Sequence, residues 1–367
     1  MKIALVHDYL KEFGGAERVL RTLADMYPEA PIYTAFVTPG SDAAREFNDR
    51  KVIESGWAPL LRYKNLHSPL RFLIPLIWGS MDLSEYDLVI TSCSGYIARG
   101  FKIGKKTKVV AYCHTPPRFL YGYEMSVDWQ KYWIVKVYAI IVNHFLRQFD
   151  FWSAQAINNW IANSRNVQQR IEKFYRKESV VVYPPIETKA FDKDFKREDY
   201  FLIVSRLAGA KGLEEAAMAA KSAGVNLKIA GGSAGYNQIK SRLEKLSGGH
   251  VELLGRVTDE ELVELYAKAK GFVALARQED FGMTVVEAQA AGTPVIAFRG
   301  GGFLETVIEG ETGIFVDNTD VASLTKAFKE FNSKKWDRKK IKTNAKRFDR
   351  SIFENKIREI IGNKATK

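Results

Sequence analysis

The sequence predicts an α/β protein built from two Rossmann-like domains facing across a cleft, and three observations lead there. The chain has 367 residues, enough for two domains of roughly 150 residues each. The stretch Gly271–Phe298 reads as one strand–loop–helix–strand unit. In it the apolar run Gly271–Ala276 is a buried strand, a polar turn follows, a helix runs from about Thr284 to Ala291, and Val295–Phe298 is the next strand. Gly292 and Pro294 stop the helix. Finally, the opening plan of the chain occurs twice. A strand over Ile3–Val6, a Gly14-Gly15 turn and a helix to about Met26 are echoed by a strand over Tyr200–Val204, a loop over Ser205–Gly212 and a helix over Leu213–Ala223.

Between these landmarks the elements follow in order. Strands are expected at Ile32–Phe36, Leu88–Thr91 and Lys108–Tyr112, the last ending at Cys113-His114-Thr-Pro-Pro-Arg118. An aromatic-rich helix is expected from Trp129 to Arg147. Trp160–Ser164 then leads into a capped helix through Lys173. Val180–Tyr183 is a short strand closed by Pro184-Pro185, a stiff exit suited to a linker. The expected boundaries are therefore 1–185 for the first domain, 186–335 for the second, and 336–367 for a basic helical segment. In the second domain, strands at Leu227–Ala230 and Val251–Leu254 precede Thr258-Asp-Glu-Glu261, a capping box for a helix through Lys270.

Composition narrows the function classes. The two cysteines, Cys93 and Cys113, form no zinc or disulfide framework, and a reducing cytoplasm is the simplest setting. The first residues read as a strand running into a loop and not as a signal peptide. No uninterrupted apolar run reaches the ~18 residues that span a bilayer. A net charge of +12 calls for an acidic partner. Nucleic acid is disfavoured, because no zinc-finger spacing or RNA-binding aromatic signature is present. Cations instead mix with bulky apolar residues over Arg62–Trp78 and Phe101–Lys108. That mixture suits a peripheral position on an anionic membrane surface, with Phe72, Leu73 and Trp78 entering the interface unless they are core.

Two glutamates define the candidate site. Glu279 and Glu287 are eight residues apart, about 12 Å if both lie on one helix. That is too far for a carboxylate dyad or a shared metal, but it suits the two ends of an extended ligand. Glu287 also stands three residues after Thr284, so a capping box is the competing role; for Glu279 it is a solvated loop charge. Backbone N–H groups of Gly282, Met283 and Thr284 open the helix and suit a phosphate. Arg206 and Lys211 flank the loop after the Tyr200 strand and together would neutralise a diphosphate. Gly14 and Gly15 permit close backbone approach to a ligand. They do not form G-x-G-x-x-G, so a nicotinamide cofactor has no fingerprint here. His114 follows a strand directly, where an α/β sheet places functional side chains, although a satisfied structural histidine is the alternative.

The pattern Glu279-x7-Glu287, followed by Ala288-Gln-Ala-Ala-Gly-Thr-Pro-Val-Ile-Ala297 and a Gly300-Gly-Gly302 loop with Glu305, resembles the signature of retaining glycosyltransferase family 4. It departs at Asp280, where many members carry Gly. The Glu-Asp-Phe-Gly form is similar to that of bacterial polysaccharide and O-antigen mannosyltransferases. The resemblance implies GT-B architecture, with the last helix crossing back onto the first domain. It also implies transfer of a hexose, with GDP-mannose as the expected donor, to a glycan or lipid-linked acceptor in cell-surface polysaccharide synthesis. No cofactor or metal is expected, and the enzyme would sit on the cytoplasmic face of the cell membrane. His114 would then face the donor sugar, Glu279 would hold a sugar hydroxyl and Glu287 the ribose, and Arg206 and Lys211 would clamp the pyrophosphate. The base would lie near Arg256 and Val257. Two other readings remain open at this stage: a GT-B sugar-nucleotide epimerase, and a catalytically silent sugar-nucleotide-binding module.

Overall fold

The computed structural model describes residues 1–123, 132–232 and 237–362. Its contacts divide the chain into two units. One runs from Met1 to Pro185 and takes in the residues from Glu354 onward; the other runs from Ile186 to Phe353. Each is built on its own parallel sheet.

The first unit contributes β1 (Ile3–His7), β2 (Ile32–Thr34), β3 (Val52–Glu54), β4 (Leu88–Cys93), β5 (Lys108–Cys113), β6 (Asn159–Ala162) and β7 (Ser179–Val181). Their order is β3-β2-β1-β4-β5-β6-β7, every pair parallel. In β4 every side chain is buried, as a parallel strand covered by helices on both faces requires. The chain reverses direction across the sheet between β1 and β4. Such a switch point opens a crevice at the carboxyl ends of the strands.

The second unit contributes β8 (Phe201–Val204), β9 (Leu227–Ala230), β10 (Val251–Gly255), β11 (Gly271–Ala274), β12 (Val295–Phe298) and β13 (Gly313–Val316). Their order is β10-β9-β8-β11-β12-β13, again wholly parallel. The switch point here lies between β8 and β11. The predicted capping box forms: Thr258 Oγ1 accepts from the Glu261 N–H at 3.2 Å and Glu261 Oε2 from the Thr258 N–H at 2.8 Å.

Three expectations change. Trp78 is wholly buried and donates its indole N–H to the Tyr96 carbonyl at 2.8 Å, so it belongs to the core. Leu73 is half-buried against that core, and of the expected insertion residues only Phe72 is exposed. The aromatic helix spans Trp133–Gln155, longer than expected at its C-terminal end, while residues 129–131 fall outside the described ones. The basic terminal segment is not one body. Trp336 packs on Phe331, and the Arg338–Ala345 helix docks within the second unit, where Asn344 Nδ2 donates to Gln289 Oε1 at 2.5 Å and to the Thr306 carbonyl at 2.8 Å. Only residues from Glu354 onward group with the first unit, and 363–367 lie outside the described residues. The Asn344–Gln289 hydrogen bond ties the Arg338–Ala345 helix to the Met283–Ala290 helix beside it.

Candidate functional site

In the second unit the loops after β8 and β11 meet at the switch point. The loop after β8 tightens into a 3-10 turn, Gly209–Lys211, and Gly212, at φ 65°, starts the Leu213–Ala223 helix. This turn aims Lys211 Nζ at Glu279 Oε2, 2.7 Å away. Both side chains are partly exposed, so the pair is open to a ligand and adds little stability by itself. Arg206 lies exposed on the same loop. Leu207 N–H donates to the Gly232 carbonyl at 3.0 Å, and Gly231 N–H to the Gly255 carbonyl at 2.6 Å. The ends of β8, β9 and β10 are thereby tied together, and Arg256 and Val257 follow directly at the edge of this set.

Glu279 is positioned by the glycine loop. The Gly302 N–H donates to the Glu279 carbonyl at 2.9 Å. A Cβ on Gly302 would lie 2.3 Å from Phe281 Cα, and one on Gly301 would lie 2.3 Å from the Glu279 carbonyl oxygen. Backbone presses on backbone there, and no side chain fits between. Gly282, at φ 91°, then opens the Met283–Ala290 helix with no side-chain cap. The helix start at Gly282, Met283 and Thr284 therefore offers N–H groups and the positive end of the helix dipole.

Glu287 lies in the second turn of that helix. The helix begins one residue earlier than Thr284, and its cap is Gly282, so the capping-box role does not arise. The carboxylate is buried and accepts from Tyr266 Oη at 2.9 Å. Tyr266 in turn packs on Phe191 and Phe272. Thus Lys211 and Glu279 are brought together, while Glu287 is held from behind by Tyr266.

The first unit carries a second constellation, also at its switch point. Gly14 caps the Gly15–Met26 helix, and its N–H donates to Glu17 Oε2 at 2.9 Å. The other Glu17 oxygen lies 3.4 Å from His7 Nε2, and His7 Nδ1 lies 3.0 Å from Ser92 Oγ. Ser92 Oγ lies 2.8 Å from His114 Nε2. Glu17, from the first turn of the Gly15–Met26 helix, thus joins His7, Ser92 and His114, from the ends of β1, β4 and β5, in one largely buried chain of hydrogen bonds. Burial drives His114 down to about 3, with the charge of His7 adding to the fall and Glu17 opposing it. The imidazole is therefore neutral at physiological pH. Burial alone would raise Glu17, but the hydrogen bond and charge of His7 outweigh it and hold that carboxyl below its usual range. Beside them Asp8 accepts from the Ser94, Tyr96 and Ala98 N–H groups at 3.0, 2.9 and 3.0 Å, which fixes the loop after β4. His7, Glu17, Ser92 and Asp8 were not singled out from the sequence; the polar ends of β1 and β4 were the available signal. Among the described residues no group of three or more His, Cys, Asp and Glu side chains is arranged to hold a metal ion.

Known proteins match both units. Residues 13–190 match the sequence model described as Glycosyltransferase Family 4, and residues 185–348 the one described as Glycosyl transferases group 1. An uncharacterized glycosyltransferase of Methanocaldococcus jannaschii is 27% identical over 58% of this chain, which spans only 61% of that relative. The alpha-1,3/1,6-mannosyltransferase of Dictyostelium discoideum is 25% identical over 94% of this chain and 93% of its own length. Among solved structures, Anabaena HepE in complex with UDP-glucose superposes with a TM-score of 0.71 at 18% identity, over 99% of this chain and 100% of that one. At that identity the likeness is one of fold. Two parallel sheets, each with one switch point, and two sequence models that between them run from residue 13 to residue 348 lead to one conclusion: the chain is a family 4-like glycosyltransferase of GT-B architecture.

Proposed function

We propose that this protein transfers a hexose, with retention of configuration and without a metal, from a nucleoside-diphosphate donor to a glycan or lipid-linked acceptor. GDP-mannose is the first donor to test, on the strength of the mannosyltransferase named among its relatives across most of its length. UDP-glucose is the second, because the Anabaena chain of the same fold was solved with it. The setting is cell-surface polysaccharide synthesis at the inner face of the membrane. No helix among the described residues is long and apolar enough to cross a membrane.

The observation that carries this reading is the Lys211–Glu279 pair at the β8/β11 switch point, beside an uncapped helix start. Departure of a nucleoside diphosphate leaves negative charge on its phosphates. Arg206 and Lys211, with the Gly282, Met283 and Thr284 N–H groups, supply positive potential where that charge grows, a form of stabilisation worth several kcal/mol in a dry site. Glu279 holds a hydroxyl of the transferred sugar, and Glu287 the ribose hydroxyls. Arg256 and Val257 bound the base. Within the first unit, Gly14 and Gly15 permit close backbone approach to a ligand, and neutral His114 keeps one ring nitrogen for a sugar hydroxyl while Ser92 engages the other. No protein nucleophile is assigned; the donor phosphate takes the acceptor proton on the face from which it leaves.

Thermal-shift screening of GDP-, UDP- and ADP-sugars tests the donor, since a ligand at about 100 Kd adds roughly 2.7 kcal/mol. NMR of the product's anomeric proton then tests retention. An inverted product, or no stabilisation by any nucleotide sugar, overturns the proposal.

A further inference from the structure

The Trp133–Gln155 helix is inverted relative to an ordinary surface helix. Its buried residues are Asn143, Leu146, Asp150, Ser153 and Ala154, mostly small or polar. Asp150 is satisfied inside by the Arg99 guanidinium, by Tyr121 Oη at 2.6 Å and by Tyr175 Oη at 3.2 Å. The outer face carries the bulk: Trp133 is 73% exposed, Ile140 70%, Phe145 64% and Trp152 70%, with Ile134, Val137 and Ile141 exposed between them. The other exposed residues of the helix are Lys136, His144, Arg147 and Gln148, none acidic. At about 100° per residue, Lys136 and Arg147 fall within roughly 20° of each other along one edge of the apolar arc. The arc extends to the neighbouring elements Arg71–Leu73 and Ile74–Gly79, where Phe72 and Leu76 are exposed.

This face has the composition of an interfacial helix, with aromatic rings at both ends, aliphatic side chains between and cations along one side. Trp133 and Trp152 stand about 28 Å apart along the axis, at 1.5 Å per residue. A second copy of the chain fits less well. An isologous contact would repeat Lys136 and Arg147 on both sides without an exposed acid on the helix to pair them. Anionic headgroups provide that charge, and the acyl boundary takes the indoles and aliphatic groups. We propose that the Trp133–Gln155 helix, with Phe72 and Leu76, is the surface by which this protein lies on an anionic lipid bilayer. The inference deepens the membrane setting proposed above and rests on that reading.

The test is sedimentation of the full chain with vesicles of phosphatidylcholine alone or with roughly one quarter phosphatidylglycerol. The wild type should be recovered mainly with the anionic vesicles. Recovery should fall, though not vanish, at about 1 M salt, where the Debye length is about 3 Å. Ile140→Glu with Phe145→Glu should lower recovery at least about tenfold with melting temperature unchanged, because both side chains face outward. Lys136→Glu with Arg147→Glu should erase the preference for anionic lipid, and Ile140→Leu should bind as wild type. Equal recovery of wild type and the double glutamate variant, or no wild-type recovery, overturns the proposal. So does a dimer in lipid-free buffer that the double glutamate variant converts to monomer. The assay contains neither donor nor acceptor, so failure of glycosyl transfer with lipid binding intact would count against the enzymatic reading alone.

Discussion

Gly302→Ala tests the packing that places Glu279. Gly302 has φ −65° and ψ −15°, a helical conformation that alanine adopts without strain. In open space such a change would stabilise the chain by about 0.4–1 kcal/mol through the unfolded state. Here the new Cβ would stand 2.3 Å from Phe281 Cα and 2.6 Å from both the Asp280 carbonyl oxygen and the Phe281 nitrogen, where ordinary contact starts at 3.4 Å. The two segments must separate by 3.4 minus 2.3, about 1.1 Å, and only backbone is there to move. Overpacking of this kind costs about 1–3 kcal/mol, so the sign reverses and the variant is destabilised. The displaced segment carries Glu279, whose carbonyl accepts from the Gly302 N–H, away from Lys211. A misplacement of about 1 Å costs roughly a hundredfold in rate. Calorimetry gives the stability and steady-state kinetics give kcat/KM. A Gly302→Ala protein as stable as wild type, with wild-type kinetics, would show that this contact does not place Glu279.

Three further predictions follow from the site. Arg206→Ala and Lys211→Ala should each lower turnover about a hundredfold, or about 3 kcal/mol, while costing at most about 1 kcal/mol of stability; unchanged kinetics would remove the phosphate role. Glu287→Gln keeps an acceptor for Tyr266 Oη but loses charge, so donor affinity should fall with stability nearly kept. Tyr266→Phe should do the reverse, losing about 1 kcal/mol of stability and little affinity, and identical behaviour of the two variants would reduce Glu287 to a packing role. His114 has a folded pKa of about 3 against an ordinary 6.5, so the unfolded chain binds its proton first as pH falls. Its contribution to stability is therefore intact above about pH 6.5 and is lost progressively towards pH 3, at up to roughly 1.4 kcal/mol per pH unit. The melting temperature of His114→Gln should fall less steeply with acid than that of wild type, and parallel curves would contradict a neutral buried imidazole.

The sheets were legible because apolar runs in parallel strands are short, continuous and bounded by glycine or proline. Leu227–Ala230 and Val295–Phe298 begin and end where the sequence places them. β3, with only partly buried residues at the sheet edge, has no such run and was not anticipated. Lys211 and Glu279 were legible singly, but their pairing across 68 positions is a property of strand order, which local pattern does not encode. The same holds for His7, Ser92 and Glu17, linked over up to 85 positions. Trp78 failed for another reason. In Ile74–Trp78 an apolar residue beside cations reads equally as core or as surface, and only the Tyr96 carbonyl decides that its indole points inward. The outward face of Trp133–Gln155 was obscured likewise, because its buried side carries Asn143, Asp150 and Ser153 where periodicity expects apolar residues.

Glu279, paired with Lys211, is proposed to select the sugar of a nucleotide donor that this chain consumes. The direct measurement is transfer of radiolabelled sugar from GDP-mannose into a lipid or glycan acceptor fraction, with wild type and Glu279→Gln compared alongside their affinity for GDP. Label should enter the acceptor with wild type, about a hundredfold less of it with Glu279→Gln, and GDP affinity should be equal in both. Label that stays on the nucleotide with GDP-, UDP- and ADP-sugars alike, or a Glu279→Gln variant that transfers as fast as wild type, would contradict that proposal.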